Sequence, residues 1–375
     1  MKIVYYIFFS WLFYSCVVHT EKEVKTEVLE IGEKITYFEP FEIDIEYAKE
    51  FSVDVSHEDY TKITISTNNS VHNFTDSIFI AHNSNFKPKG RKVVKGNYSS
   101  LALQSSTYLA YLEILNKLNL VKGISGLQYV NSENYIKSFD KNNTKEISID
   151  GKIQMESLLS INPDLFLIYP FELDNTDKYN ESGVKTLLVS EYLETTALGK
   201  LEWIKFFGLI FGEYEKAEVY FEETRKNHFM RTQEVEPENT MFFNLPFKDD
   251  WNMPSSNSTT VNLTNDAGFN YIYKDQTNDN SHKSKEEVWN DAMQCKYWII
   301  IASRPKGFSL ADLLKEEEVY KEFPSVKNGR VIFCNTVTTE YFTKGVVEPD
   351  ILLKELIYAK DNIEFEEPKY FRILK

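Results

Sequence analysis

Short, wholly apolar runs that alternate with helical stretches constrain this chain more than any other feature. Residues 165–169 (Leu-Phe-Leu-Ile-Tyr) and 297–301 (Tyr-Trp-Ile-Ile-Ile) show no polar alternation. A strand apolar on both faces belongs in a parallel sheet with helices packed on either side. Each run follows a helical stretch and a short loop. One helix, over 153–161, carries Glu156 and stops at Asn162-Pro163-Asp164; the other, over 285–293, carries Glu286. Further apolar strands are expected at 184–189 after Gly183, at 241–245 and at 331–333. Ser106 is placed to cap a helix whose Leu109, Leu112, Leu115 and Leu118 share a face. Strands and helices in such alternation imply βαβ units.

The pattern occurs twice. A helix over 197–211 ends at Gly212, a natural C-terminal stop. The next helix, over 213–233, is highly charged, with a thin apolar stripe through Ala217, Tyr220 or Phe221, and Thr224. A helix that polar suits a position across two bodies better than one inside a core. After Glu236-Pro237 the alternation begins again, with a helix near 260–267. The expected fold class is therefore α/β: two Rossmann-like lobes with parallel sheets, residues 83–212 and 236–375, bridged by a single long α-helix within 213–235. Open parallel sheets bind ligands beyond the carboxyl ends of their strands, so two facing sheets place a site in the cleft between them. Ahead of the lobes, Ile43, Ile45, Phe51, Val53, Val55, Ile63 and Ile65 fall at period two around polar partners, broken at His57-Glu58-Asp59. They predict a small antiparallel extension, which shares 17–82 with a charged tether at 17–30. A polar connector covers 83–89.

The first residues read as a processing signal. Lys2 supplies a positive start, 3–13 is apolar but too short to span a bilayer comfortably, and Cys16 follows at once. A lipoprotein signal over 1–16 is expected, with Cys16 as the lipid attachment point; an ordinary secretory leader with a chance cysteine is the alternative. The net charge of -15 and pI near 5.0 leave no field to attract nucleic acid. Aromatics at 15% suit a flat apolar ligand held at a wet surface. Cys295 precedes one predicted strand and Cys334 ends its neighbour. In a parallel sheet that separates the thiols by roughly 10 Å, beyond the reach of a disulfide. Two free buried cysteines and no metal site are expected.

The chain contains no GxSxG elbow, P-loop, GxGxxG after the first strand, or HExxH, so neither an enzyme nor a cofactor is expected. His19, His57, His72, His82, His228 and His282 are scattered. A weak metal site at His72 and His82 competes with the plainer reading of two exposed loop histidines.

SSTYLAYLEIL from Ser105, GISGLQYV from Gly123, MESLLSINPDLFLIY from Met155, EYLETTALGKLEWIKFFG from Glu191, SKEEV from Ser284 and NGRVIFCN from Asn328 are, in this order and spacing, specific. Over residues 91–357 they resemble the binding proteins of ABC-type importers for ferric siderophores, haem and cobalamin, which have the class III periplasmic binding protein fold. Tyr47-Ala48-Lys49-Glu50-Phe51 and Tyr60-Thr61-Lys62 extend the resemblance to the amino-terminal extension of Bacteroidetes-type members.

The resemblance implies a monomer anchored by lipid in the periplasm or cell envelope, delivering its ligand to a permease dimer with its ATPase. Glu156 and Glu286 match the exposed glutamates that dock into arginine pockets of the two permease subunits, with Glu287 a competitor in the second lobe. Solvated acids favoured by the helix dipole are the bland alternative. The cleft residues it implies are Ser106, Thr107, Tyr108, Gln128, Tyr129, Tyr169, Glu191 and Tyr192 from the first lobe, and Phe247, Trp251, Arg304 and Tyr341 from the second. Arg304 would meet a carboxylate or phosphate of the ligand, or stand as an ordinary loop arginine. The loops after Ile301 and Phe333, and the asparagines at 278–280, depart from the wording of close relatives. A surface interaction protein that keeps this fold but has lost transport remains a second reading, and a hydrolase or metalloenzyme a third.

Overall fold

The computed structural model describes residues 43–68, 73–82, 92–94, 97–130, 132–170, 176–276, 281–363 and 367–375. The leader with Cys16, the tether, His19 and His72, the connector and the asparagines at 278–280 lie outside them. The extension forms strands β1 (Phe51–Asp54), β2 (Tyr60–Asn68), β3 (Asn73–Ala81) and β4 (Lys92–Val94), paired in that order. Period two is realised in the register, with Phe51 opposite Ile65, Val53 opposite Ile63, and Ile63 opposite Ile78. Ile63, Ile65 and Ile78 are fully buried. The sheet is mixed, not antiparallel throughout, because β4 runs parallel to β3.

The first lobe follows as β5 (Leu101–Leu103), α1 (Tyr108–Ile114), β6 (Val121–Ile124), α2 (Glu133–Asn142), β7 (Lys145–Glu146), a hairpin of β8 (Ser148–Ile149) and β9 (Lys152–Ile153), α3 (Met155–Ile161), β10 (Leu165–Ile168), α4 (Thr176–Glu181), β11 (Thr186–Leu188) and α5 (Ala197–Phe211). Its sheet is parallel in the order β11-β10-β5-β6-β7. The leucine helix is shorter than its periodicity suggests. α1 ends at Ile114 and leaves Leu118 in a separate 3-10 turn, and Thr107, not Ser106, occupies the N-cap position with no side-chain cap.

A single helix, α6 (Tyr214–Phe229), joins the lobes. Its Tyr214, Ala217 and Phe221 belong to the first lobe's core. The Tyr220 hydroxyl donates to the Val347 carbonyl at 3.0 Å, and further along His228 Nε2 meets Asp266 Oδ2 at 3.1 Å. α5 and α6 approach closely at Gly208, where a Cβ would stand 2.6 Å from that of Ala217. Gly212, at φ +69°, turns the chain between them. The bridge is shorter than the sequence reading of 213–233: Gln233 already pairs with Ala267 of the second lobe. At 1.5 Å per residue the 16-residue helix is about 24 Å long.

The second lobe contains β12 (Thr240–Phe243), β13 (Asp250–Met253), α7 (Thr259–Asp266), β14 (Asn270–Tyr271), β15 (Ser281–Ser284), α8 (Lys285–Ala292), β16 (Tyr297–Ala302), α9 (Leu310–Glu316), α10 (Pro324–Lys327), β17 (Val331–Asn335), α11 (Pro349–Lys360) and β18 (Arg372–Ile373). Its sheet, β14-β12-β16-β17-β18, is parallel except for the edge strand β18. Each lobe has its own apolar core, one around Tyr111, Phe166 and Phe207 and the other around Phe242, Trp298 and Phe333. Cys295 and Cys334 are free and buried, at opposite ends of the paired strands β16 and β17.

Candidate functional site

β5, β10 and β11 lie side by side and end together, so the loops that follow them converge. The Gln104 side chain stitches two of the loops, accepting from the Tyr169 N–H at 2.8 Å. The Thr107 N–H donates to Ser105 Oγ at 3.1 Å, Ser105 Oγ and Thr107 Oγ1 are 2.7 Å apart, and the Thr107 hydroxyl donates to Glu191 Oε1 at 2.6 Å. Glu191 opens the 3-10 turn Glu191–Leu193 and is 1% exposed. Its other oxygen, Oε2, is buried with no hydrogen-bond partner among the described residues, as is Ser190 Oγ. An unmet buried acceptor costs about 1–3 kcal/mol. Burial accordingly pushes the Glu191 carboxyl up to about 7, with the Thr107 bond and the Lys200 charge opposing the rise. Burial also lowers the Lys200 ammonium, against the pull of Glu191 and Glu194. Tyr169 and Tyr192 are half-buried beside this group, their rings edge to face at 5.7 Å.

Gln128 and Tyr129 sit in the exposed 3-10 turn Leu127–Tyr129, which Glu146 holds by accepting from the Gly126 and Leu127 N–H groups. Tyr129 is 78% exposed. Ser106 is half-buried in the same lobe. Tyr108 is different. Its ring is wholly buried against Phe207 and its hydroxyl reaches the Val189 carbonyl, so it packs the lobe instead of facing a ligand.

The second lobe presents fewer of the expected groups. Phe247 is exposed on a tight turn closed by its N–H to the Asp250 carbonyl, and Tyr341 is half-buried against Phe342 and Phe371. Trp251 belongs to the core: it is fully buried among Phe242, Trp298 and Tyr320, and its indole N–H is satisfied by the Phe243 carbonyl. The Arg304 guanidinium is already engaged, with Nε and Nη2 each 3.2 Å from one oxygen of Glu316. That fork leaves it little capacity for a ligand carboxylate. The two lobes meet beside the Glu191 turn, where Thr259 Oγ1 of α7 donates to the Glu194 carbonyl at 2.7 Å and Asn262 Nδ2 to the Thr195 carbonyl at 2.8 Å. No sequence pattern marked that contact.

Glu156 is the second residue of α3 and Glu286 the second residue of α8, and both are exposed. Glu287 is paired with Lys283, whereas Glu286 turns its carboxylate to solvent.

Sequence reasoning also missed two buried carboxylates that tie the extension down. Glu202 of α5 accepts from the Glu46, Tyr47 and Ala48 N–H groups at 3.1, 2.7 and 2.8 Å, with Lys205 at 3.2 Å as its counter-ion. Glu194 accepts from the Lys49 and Glu50 N–H groups and from the Trp203 indole, each at 3.0 Å. Glu355 of α11 does the same in the second lobe, accepting from the Lys369, Tyr370 and Phe371 N–H groups at 2.7–2.8 Å.

Compared with known proteins, residues 105–338 match the family model described as periplasmic binding protein. The chain is 26% identical over 280 residues to an uncharacterized lipoprotein of Methanocaldococcus jannaschii, covering 71% of this chain and 66% of that relative, just under two thirds. A second uncharacterized lipoprotein of the same organism is 26% identical over 203 residues, 51% of this chain and 52% of that one. Among solved structures, a periplasmic binding protein of Veillonella parvula superposes with a TM-score of 0.60 at 18% identity, over 81% of this chain and 99% of that one. A periplasmic heme binding protein of Pseudomonas aeruginosa gives 0.58 at 13% identity, over 74% and 99%. At such identities these superpositions speak for the fold, which is the class III arrangement of two helix-bridged α/β lobes. Since the family match runs through both lobes and the helix between them, the chain belongs to the periplasmic binding protein family, whose members bind substrates and do not transform them.

Proposed function

We propose that the chain is the substrate-binding component of an ABC-type importer, anchored by lipid on Cys16 in the cell envelope. It captures an iron chelate, haem or corrinoid between its lobes and delivers it to a permease dimer. The cleft wall in this reading consists of Ser106, Thr107, Gln128, Tyr129, Tyr169, Glu191 and Tyr192 on one side and Phe247 and Tyr341 on the other; Tyr108, Trp251 and Arg304 are left out because their groups are committed elsewhere.

The observation that carries delivery is the matched pair Glu156 and Glu286, each solvent-facing at the second position of the helix preceding an interior strand of its lobe. Two carboxylates on a body stiffened by a continuous helix give a contact of fixed span, suited to paired arginine forks. The test is uptake by cells that carry Glu156→Lys together with Glu286→Lys. Uptake is expected to fall at least tenfold while the affinity of the purified protein for its ligand is unchanged. Unchanged uptake removes the docking role.

A further inference from the structure

We infer that Glu191 is the buried end of a ligand subsite that accepts a hydrogen bond from a neutral or cationic donor on the ligand, an amide N–H, hydroxyl or amine, and that disfavours a ligand carboxylate. This rests on the reading of the interlobe cleft as a ligand site and specifies the chemistry it selects.

The polarity follows from counting protons. The Thr107 hydroxyl has one hydrogen, and it goes to Glu191 Oε1. The 2.7 Å contact between Ser105 and Thr107 must then be donated by Ser105, whose own oxygen accepts from the Thr107 N–H. Every donor in the chain points toward Glu191, so Oε1 is fixed as an acceptor. Oε2, buried and without a hydrogen-bond partner among the described residues, is left to take a donor. Tyr169 and Tyr192, half-buried alongside, form the outer part of the subsite and offer ring faces to an apolar ligand body.

Binding a donor requires the ionised form of Glu191, so affinity should fall as pH drops through about 7, where burial has moved this carboxyl. The groups that act on it are Lys200 of α5, Thr107 and the tyrosines Tyr108 and Tyr111 of α1, Tyr169 after β10, and Tyr192 in its own turn. Glu194, in the same turn, acts on Lys200, and Glu50 of the extension acts on Tyr192. The tyrosines stay neutral throughout this range, since burial raises their hydroxyls above the ordinary value.

The test is equilibrium binding of cyanocobalamin and ferrioxamine B, which carry amide donors, and of haemin, which carries two carboxylates, to the full chain from pH 5.5 to 8.5. At least one donor-bearing probe is expected to bind, about tenfold more weakly at pH 6 than at pH 8. Glu191→Gln places an amide N–H at the Oε2 position. It should weaken that probe at least tenfold at pH 8 and flatten the profile, while Thr107→Val should move the midpoint to higher pH. A donor-bearing probe bound with no pH dependence and no response to Glu191→Gln overturns the subsite alone, as does binding of haemin in preference to both others. Binding of none of the three overturns the cleft reading and the subsite with it.

Discussion

Three buried glutamates in one stretch of sequence, Glu191, Glu194 and Glu202, have different surroundings and different roles. Glu202 is met by three backbone N–H groups and Lys205, and Glu194 by two N–H groups and an indole. Burial still raises the Glu194 carboxyl, though its hydrogen bonds oppose it. Glu191 takes a side-chain donor only at Oε1, from Thr107, and has the larger rise. A carboxyl whose folded value lies above its unfolded one favours the protonated protein, so it costs no stability at low pH, and the cost appears as pH climbs from about 4.5 to about 7. Glu191→Gln should therefore raise the melting free energy by up to about 3 kcal/mol at pH 8 and by almost nothing at pH 4.5. Thermal denaturation of both proteins at the two pH values checks this; an equal effect at both would mean that Glu191 stays charged in the fold.

At the scale of elements, α5 in the first lobe and α11 in the second play the same part. Each packs against α6, and each uses a buried glutamate to fix a peripheral segment through consecutive backbone N–H groups. Glu355→Ala leaves three such groups without their acceptor and should cost roughly 3 kcal/mol. Hydrogen exchange at 369–373 should rise well before that of β16, and uniform acceleration across the lobe would contradict a local clamp.

The interior strands β10, β16 and β17 were legible because 165–169, 297–301 and 331–333 are apolar on both faces; the two-residue edge strands β7, β14 and β18 are too short to show a pattern. The bridging helix was legible because its Ala217, Phe221 and Thr224 form a stripe too narrow for a core helix. α11 was overlooked although Pro349 at its first turn and Leu352, Leu353 and Leu356 on one face announce it. The glutamate clamps could not be read at all: the partners of Glu202 and Glu194 are main-chain groups roughly 150 positions away, those of Glu355 lie beyond the end of its helix, and a backbone N–H carries no sequence signal. Trp251 and Arg304 were misplaced for a related reason, since residue type suggested a ligand while burial and Glu316 had already claimed them.

At the scale of the molecule, two cores are held by one continuous helix and by the bonds from Thr259 and Asn262 to the turn after β11. A continuous helix cannot absorb large φ/ψ changes as a loop hinge does, so lobe movement on binding should be small. Ligand is expected to bear on both lobes at once. The most direct test is hydrogen exchange of the whole chain with and without saturating cyanocobalamin or ferrioxamine B, whichever binds. The account predicts slowed exchange in the loops after β5, β10 and β11 and also in those after β12 and β17, with α6 unchanged. Protection confined to the loops of one lobe would contradict a site built between the two.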